Sequence, residues 1–247
     1  MHKRYGDYQV LLSLMRWLES CWLSNFTELG LFCKVTPTIV SNSYIYLASQ
    51  SPRRQELLKQ IGIPFEMLLP DANEDSESIE TPLPQEKARI YVERVTLAKS
   101  AMALARWKNR DLPWAPILCA DTTVSLPSSV EGEILGKPSD AIQAKHILSM
   151  LSGKAHEVLT AVAVTVNPNE APIHLTQISE VQFAHLSPQQ IEAYISSGEP
   201  FGKAGAYGIQ GLGGTFISSI RGSYSGIMGL PVYETAQLLN RARVTCI

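Results

Sequence analysis

The chain has 247 residues, a formal net charge of −2 and 45% hydrophobic residues. That length fits one sizeable domain or two small ones, with enough apolar content for a real core. Charges of both signs are interspersed, which argues against a nucleic-acid surface built on bulk charge while leaving room for a locally basic pocket. The cysteines, Cys21, Cys33, Cys119 and Cys246, are scattered without a C-x-x-C pair. They suggest neither a zinc site nor a disulfide framework, and a reducing cytoplasm suits them.

Near the start, the apolar run 10–15 is interrupted by Arg16 and Glu19. It is too short and too broken for a signal peptide or for a membrane span, which needs about 18 or more apolar residues. The bland reading of this segment is an extension; an amphipathic helix lying on a membrane or a partner is the alternative.

Residues 44–48 read as a short buried strand. Pro52 opens a helix to about Ile61, with Ser51 as the N-cap and Gly62 as the stop. A second strand at 65–69 leads into an acidic, proline-containing loop, 70–84. Helical spacing of apolar residues marks a long helix over 85–107. A third strand, 117–120, ends at Asp121, and a hairpin follows over 124–135 around Pro127 and Glu131-Gly132. Residues 139–151 are helical, 158–166 and 173–183 are strands, and 187–197 is a helix with Pro188 in its first turn. A glycine-rich region runs from 198 to 229, and a last helix starts near Pro231. Strands alternate with helices, so the class is α/β with a mixed sheet.

Ser49-Gln50-Ser51-Pro52-Arg53-Arg54 hands a strand to a helix N-terminus, where free N–H groups favour an anion. Two hydroxyls and two arginine forks beside it suit phosphate oxygens; a capped helix with solvated arginines is the plain alternative. Asp121 ends an apolar strand where open α/β sheets place ligands. It can bind Mg²⁺, orient a water, or simply cap a turn. Glu74, in the loop after the second strand, can reach the same cleft. Gly136-Lys137-Pro138 resembles part of a phosphate-binding loop, but Gly132 to Gly136 is one residue short and Pro138 stands where Ser or Thr is required. In the segment 198–211, glycines allow close backbone approach to a ligand. There Lys203 suits phosphate, and Tyr207 and Gln210 suit a nucleobase by stacking and hydrogen bonding. There is no H-E-x-x-H, and Tyr224 at the centre of Gly222-Ser-Tyr-Ser-Gly226 rules out a nucleophile elbow. His146 and His156 read as ordinary helix-surface and strand-edge residues.

Taken together, the chain resembles the Maf family of nucleotide pyrophosphatases over residues 44–247. The motifs are L-A-S-Q-S-P-R-R-Q-E-L-L at 47–58, A-D-T at 120–122, G-K-P at 136–138, L-S-G-K-A-H-E-V at 151–158 and K-A-G-A-Y-G-I-Q-G at 203–211, with Gly222-Ser-Tyr-Ser and Gly229-Leu-Pro after them. Each is weak alone; together, in this order and spacing, they are specific. The resemblance implies an α/β Maf-like fold, a mixed central sheet flanked by helices with a deep cleft between two lobes, and a cytoplasmic homodimer. It implies cleavage of a nucleoside triphosphate between its α and β phosphates with Mg²⁺ or Mn²⁺. By the same resemblance Asp121 is the proton acceptor, and Glu74 and Lys137 match the other catalytic positions. Asp121 and Glu74 would hold the metal. Arg53, Thr122 and Gln210 match the positions that set base choice, and Ser49, Arg54, Lys99 and Lys203 line the phosphate path.

The sequence Y-G-I-Q-G at 207–211 resembles the branch that prefers dTTP and UTP, whereas the branch that prefers 7-methyl-GTP has a glutamate in place of this glutamine. A neutral amide can donate to O4 and accept from N3–H of uracil or thymine, although a flipped amide would also serve cytosine. Clearance of non-standard nucleotides is the implied role. The expected partner is a nucleotide, not a nucleic-acid polymer or a membrane. A nucleotide-binding regulator of septum formation is the competing reading. The chain departs from the family at Gly202, where an aspartate commonly precedes the lysine, and residues 1–43 have no counterpart.

Overall fold

The computed structural model describes residues 42–71, 74, 78–127 and 133–245. The extension, residues 1–43, falls almost wholly outside them, as does the turn expected near Glu131. The fold is α/β. Its seven-stranded sheet contains β1 (Ile45–Leu47), β2 (Phe65–Met67), β3 (Ile117–Leu126), β4 (Glu133–Leu135), β5 (Ala155–Thr165), β6 (Ile173–Phe183) and β7 (Ile217–Arg221). The order is β2-β1-β3-β5-β6-β7, with β4 also paired to β3. Pairs β1/β2 and β1/β3 are parallel, and the others are antiparallel. The helices are α1 (Pro52–Gln60), α2 (Ala88–Asn109), α3 (Ala141–Leu151), α4 (Pro188–Ser196), α5 (Tyr224–Met228) and α6 (Val232–Arg241).

Local chemistry explains several boundaries. Pro52 starts α1 as expected, but Ser51 makes no side-chain cap; instead its N–H donates to Ser49 Oγ at 3.3 Å. Asp140 caps α3 by accepting from Gln143 N at 2.8 Å. Ser187 and Gln190 form a reciprocal capping box on α4, a device in which each side chain satisfies an N–H that the helix leaves unpaired.

β3 departs from the sequence expectation. It runs unbroken from Ile117 to Leu126, so Asp121 stands in mid-strand, not at a strand end. Cross-strand pairing overrides the break suggested by the acid: Asp121 faces Ala161 in a register with β5 that continues from Ile117 to Ser125. The other edge of β3 is different. β1 pairs with it only at Ile117 and Leu118, and β4 only from Val124. Residues 119–123 are therefore unpaired by a strand on that edge, next to the carboxyl end of β1, where open sheets place ligands.

The core divides around the same stretch. Leu118 and Ala120 join an apolar cluster with α1 and α6, including Leu57, Leu58, Leu238 and Leu239. Val124 and Leu126 join another with α3 and α4, including Leu148, Leu151, Ile191 and Tyr194. Full burial of each such side chain stabilises by about 1.5–3 kcal/mol. Asp121 and Thr122 lie on β3 between the residues that join these two clusters.

His156 corrects an expectation. It is fully buried on β5, an interior strand, and is not at an edge. Its Nε2 lies 2.8 Å from Tyr207 Oη, and its ring meets Phe183 and Tyr207 edge-on. Burial pushes its pKa down to about 4, so the ring is neutral and the contact ties the glycine-rich segment to the sheet. Gly205 completes that closure. Its φ is +69°, and a β-carbon there would lie 2.8 Å from Val124 Cγ2, so only glycine fits.

Candidate active site

A cleft of about 480 Å³ is lined by β3, the β1–α1 turn, α2 and the glycine-rich segment. The β1–α1 turn builds one wall. Ser49 is buried, and its Oγ accepts from Arg54 Nη1 at 3.0 Å. Arg54 also donates to Gly229 O at 2.8 Å and to Thr122 Oγ1 at 3.3 Å. Arg53 donates to Met228 O at 3.2 Å. Burial pulls the pKa of Arg54 below that of an ordinary arginine, while Asp121 and Glu80 pull it back up. It remains a cation, as arginine does in proteins. This wall joins two guanidinium groups, a hydroxyl and a helix N-terminus, a set suited to phosphate oxygens.

A second part of the lining is a chain of alternating charges. Lys99 Nζ donates to Asp121 Oδ1 at 2.7 Å and to Glu80 Oε1 at 2.6 Å. Lys137 Nζ donates to Glu80 Oε2 at 2.6 Å. The four side chains share one end of the cleft. Burial opposes ionisation of Glu80, but Lys99 and Lys137 outweigh it and hold the carboxyl below its usual range. Glu80 belongs to a 3₁₀ turn, Ser78–Glu80, inside what reads from sequence as plain loop. α2 pins that turn: Tyr91 Oη donates to Glu80 O at 2.8 Å, and Arg94 donates to Ile79 O at 3.0 Å and Thr81 O at 3.1 Å. Glu86 orients Arg94 through two contacts, at 2.6 and 2.8 Å.

On the glycine-rich side, Lys203 and Tyr207 line the cleft. Lys203 Nζ donates to the carbonyl of Glu199. Burial and the charge of Arg53 lower the pKa of Lys203, against an opposing pull from Glu199. Gln210 is exposed and is not among the lining residues; its Nε2 donates to Glu56 Oε2 on α1 at 3.4 Å.

Residues 44–242 match the Maf-like protein family. The chain belongs to that family. It is 54% identical over 209 residues to a dTTP/UTP pyrophosphatase of Ralstonia nicotianae, covering 85% of this chain and 99% of the relative. A dTTP/UTP pyrophosphatase of Cupriavidus pinatubonensis is 53% identical over 203 residues, covering 82% of this chain and 98% of the relative. One from Burkholderia pseudomallei is 50% identical over 204 residues, covering 83% and 96%.

Within this Maf-like chain, the structure gathers Asp121, Lys99, Lys137, Lys203, Thr122 and the Ser49–Arg54 turn as the sequence leads one to expect. Gln210, exposed and outside the lining, is one exception, and Glu74 is the other. Its carboxylate forms a two-point contact with Arg106, at 2.6 and 3.0 Å, and it is not among the cleft-lining residues. The hydrogen bonds from Arg106 hold Glu74 below its ordinary pKa, although burial opposes them. The residue that meets Lys99 and Lys137 is Glu80, which sequence reading missed. Both acids lie in one acidic loop, and nothing in their spacing says which of them turns inward. The signal lies further along, in the Tyr91 and Arg94 side chains that fasten the turn at Glu80.

Among the described residues, no three or more His, Cys, Asp or Glu side chains gather as a metal cage. Asp121 and Glu80 do converge on one ammonium. Such a pair fits Mg²⁺, which keeps several waters and takes one or two carboxylates together with substrate phosphates. Among the described residues no helix is long and apolar enough to cross a membrane.

Proposed function

We propose that this chain hydrolyses dTTP and UTP to the monophosphate and pyrophosphate. One observation carries the reading: the guanidinium and hydroxyl groups of the β1–α1 turn and the chain Asp121–Lys99–Glu80–Lys137 line one cleft together. The names of the family relatives supply the base preference. In this reading Arg53, Arg54, Ser49 and Lys203 bind the triphosphate. Asp121 takes the proton of the attacking water, a task open to a carboxylate within reach of that water. Lys99 and Lys137 stabilise charge that develops on the leaving pyrophosphate. Asp121 and Glu80 are the residues that would hold a divalent cation, Mg²⁺ or Mn²⁺, and Glu80 takes the place that the resemblance assigned to Glu74. When bound, the cation would neutralise phosphate charge and lower the pKa of water. A homodimer in the cytoplasm, clearing non-standard nucleotides, belongs to the same reading and rests on the family resemblance.

Base choice is the part of this reading that Gln210, with Arg53 and Thr122, would decide. Gln210→Glu removes an amide donor and places a negative charge where O4 of thymine or uracil would sit. Once a bound base covers this exposed side chain, an O4 left without its donor costs about 1–3 kcal/mol, so kcat/KM for UTP and dTTP should fall by roughly tenfold or more. The measurement is the ratio of kcat/KM for UTP over 7-methyl-GTP in both proteins. The wild type should favour UTP strongly and the variant much less. An unchanged ratio would remove Gln210 from base reading.

A further inference from the structure

Glu199 lies outside the cleft lining, yet it holds both arms of the glycine-rich segment. Its Oε2 accepts from Leu212 N at 2.8 Å, and its Oε1 accepts from Gly213 N at 3.1 Å and from Tyr194 Oη at 2.9 Å. Tyr194 Oη in turn accepts from Gly208 N at 3.3 Å. The main-chain carbonyl of Glu199 takes the Lys203 ammonium. The carboxylate therefore fills the inside of the loop 208–213, whose tip carries Gln210. Gly211 records this filling, because a β-carbon there would lie 2.3 Å from Glu199 Oε2.

This arrangement has a mechanical consequence. A loop of 3₁₀ turns and glycines has little rigidity of its own, since glycine loses the most backbone freedom on ordering. Its shape must come from outside, and here a single carboxylate supplies it, directly through the main-chain N–H groups of Leu212 and Gly213 after Gln210 and, by way of the Tyr194 hydroxyl, through that of Gly208 before it. Charge-assisted hydrogen bonds of this kind are shorter and about twice as strong as neutral ones. The same residue fixes Lys203 on the phosphate side, so it sets the distance between the base-facing and phosphate-facing arms.

We propose that Glu199 is a positioning residue for base selection, acting through the loop that presents Gln210. The inference rests on the reading above that Gln210 meets the base. The test compares Glu199→Gln, Tyr194→Phe and Gln210→Ala by steady-state kinetics on UTP and 7-methyl-GTP, with melting temperature alongside. Glu199→Gln keeps the volume but removes the charge and one acceptor. It should raise KM for UTP about tenfold with kcat changed less than about threefold, the signature of lost uniform binding, and should lower the UTP to 7-methyl-GTP ratio. Tyr194→Phe, which deletes one hydroxyl and keeps the ring, should move the ratio the same way by a smaller factor. Added to Gln210→Ala, Glu199→Gln should shift the ratio little further, because residues that act as one unit are not additive.

If Gln210→Ala changes the ratio but Glu199→Gln and Tyr194→Phe do not, the positioning role is wrong and the base reading stands. If Gln210→Ala itself leaves the ratio unchanged, the base reading is what fails. A lower melting temperature with equal losses on both nucleotides would make Glu199 a structural clamp only, and would overturn the proposal.

Discussion

Asp121→Asn should lower turnover on UTP by ~10²–10⁴-fold, the usual size of a general-base loss. The substitution keeps the shape of the side chain and deletes its charge and basicity. Asp121 is buried in mid-strand, and its Oδ1 accepts from Lys99. In the variant Lys99 retains Glu80 as a partner, and the β3–β5 ladder does not involve the side chain. The melting temperature should therefore move by only a few degrees, about what 1 kcal/mol produces in a domain of this size. A fall below tenfold would leave Asp121 as a partner for Lys99 with no part in the chemistry. A large fall accompanied by loss of folded protein would point to structure, and Asp121→Ser would then separate the two causes.

The second large effect separates Glu80 from Glu74. Glu80→Gln removes the charge that lies between Lys99 and Lys137 and one of the two carboxylates suited to a cation. Losing one such preorganised electrostatic partner typically costs ~10²–10³-fold in kcat. Glu74→Gln acts elsewhere. It weakens the two-point contact with Arg106, a buried side chain that also donates to Leu68 O at 2.7 Å. That loss should cost about 1–3 kcal/mol of stability. Turnover and melting temperature, measured on both variants, should thus move in opposite patterns: Glu80→Gln slow with near-normal stability, Glu74→Gln less stable with turnover changed less. The reverse pattern would restore Glu74 to the site and make Glu80 a structural bridge.

Much of this was open to reading in the sequence. Pro52 and Gly62 bracket α1 because their backbone preferences act locally, and the β-branched runs of β5 and β6 declare themselves by composition. The turn that carries Ser49, Arg53 and Arg54 was legible for the same reason, since these residues are neighbours in the chain. Tertiary pairing hid the rest. Asp121 reads as a strand end because an acid is a poor strand residue, and only the register with Ala161 carries β3 through it. His156 reads as an edge residue because nothing nearby in sequence encloses it; Phe183 and Tyr207 come from distant elements. Glu80 and Glu74 are told apart by distant side chains: Tyr91 and Arg94 fasten the turn at Glu80, whose carboxylate meets Lys99 and Lys137, whereas Glu74 meets Arg106. Glu199 was silent because its role consists of main-chain contacts across a glycine-rich loop, which leave no spacing pattern.

The central claim is the bond that is cut. UTP incubated with the full-length protein and Mg²⁺, followed by phosphorus NMR, tests it directly. The expected result is UMP and pyrophosphate in equal amounts, abolished by excess EDTA, with no UDP and no orthophosphate as primary products. UDP with orthophosphate would place the cleavage at the wrong anhydride and contradict the assignment. UTP that binds but stays intact would contradict it as well, and would favour a nucleotide-binding regulator over an enzyme.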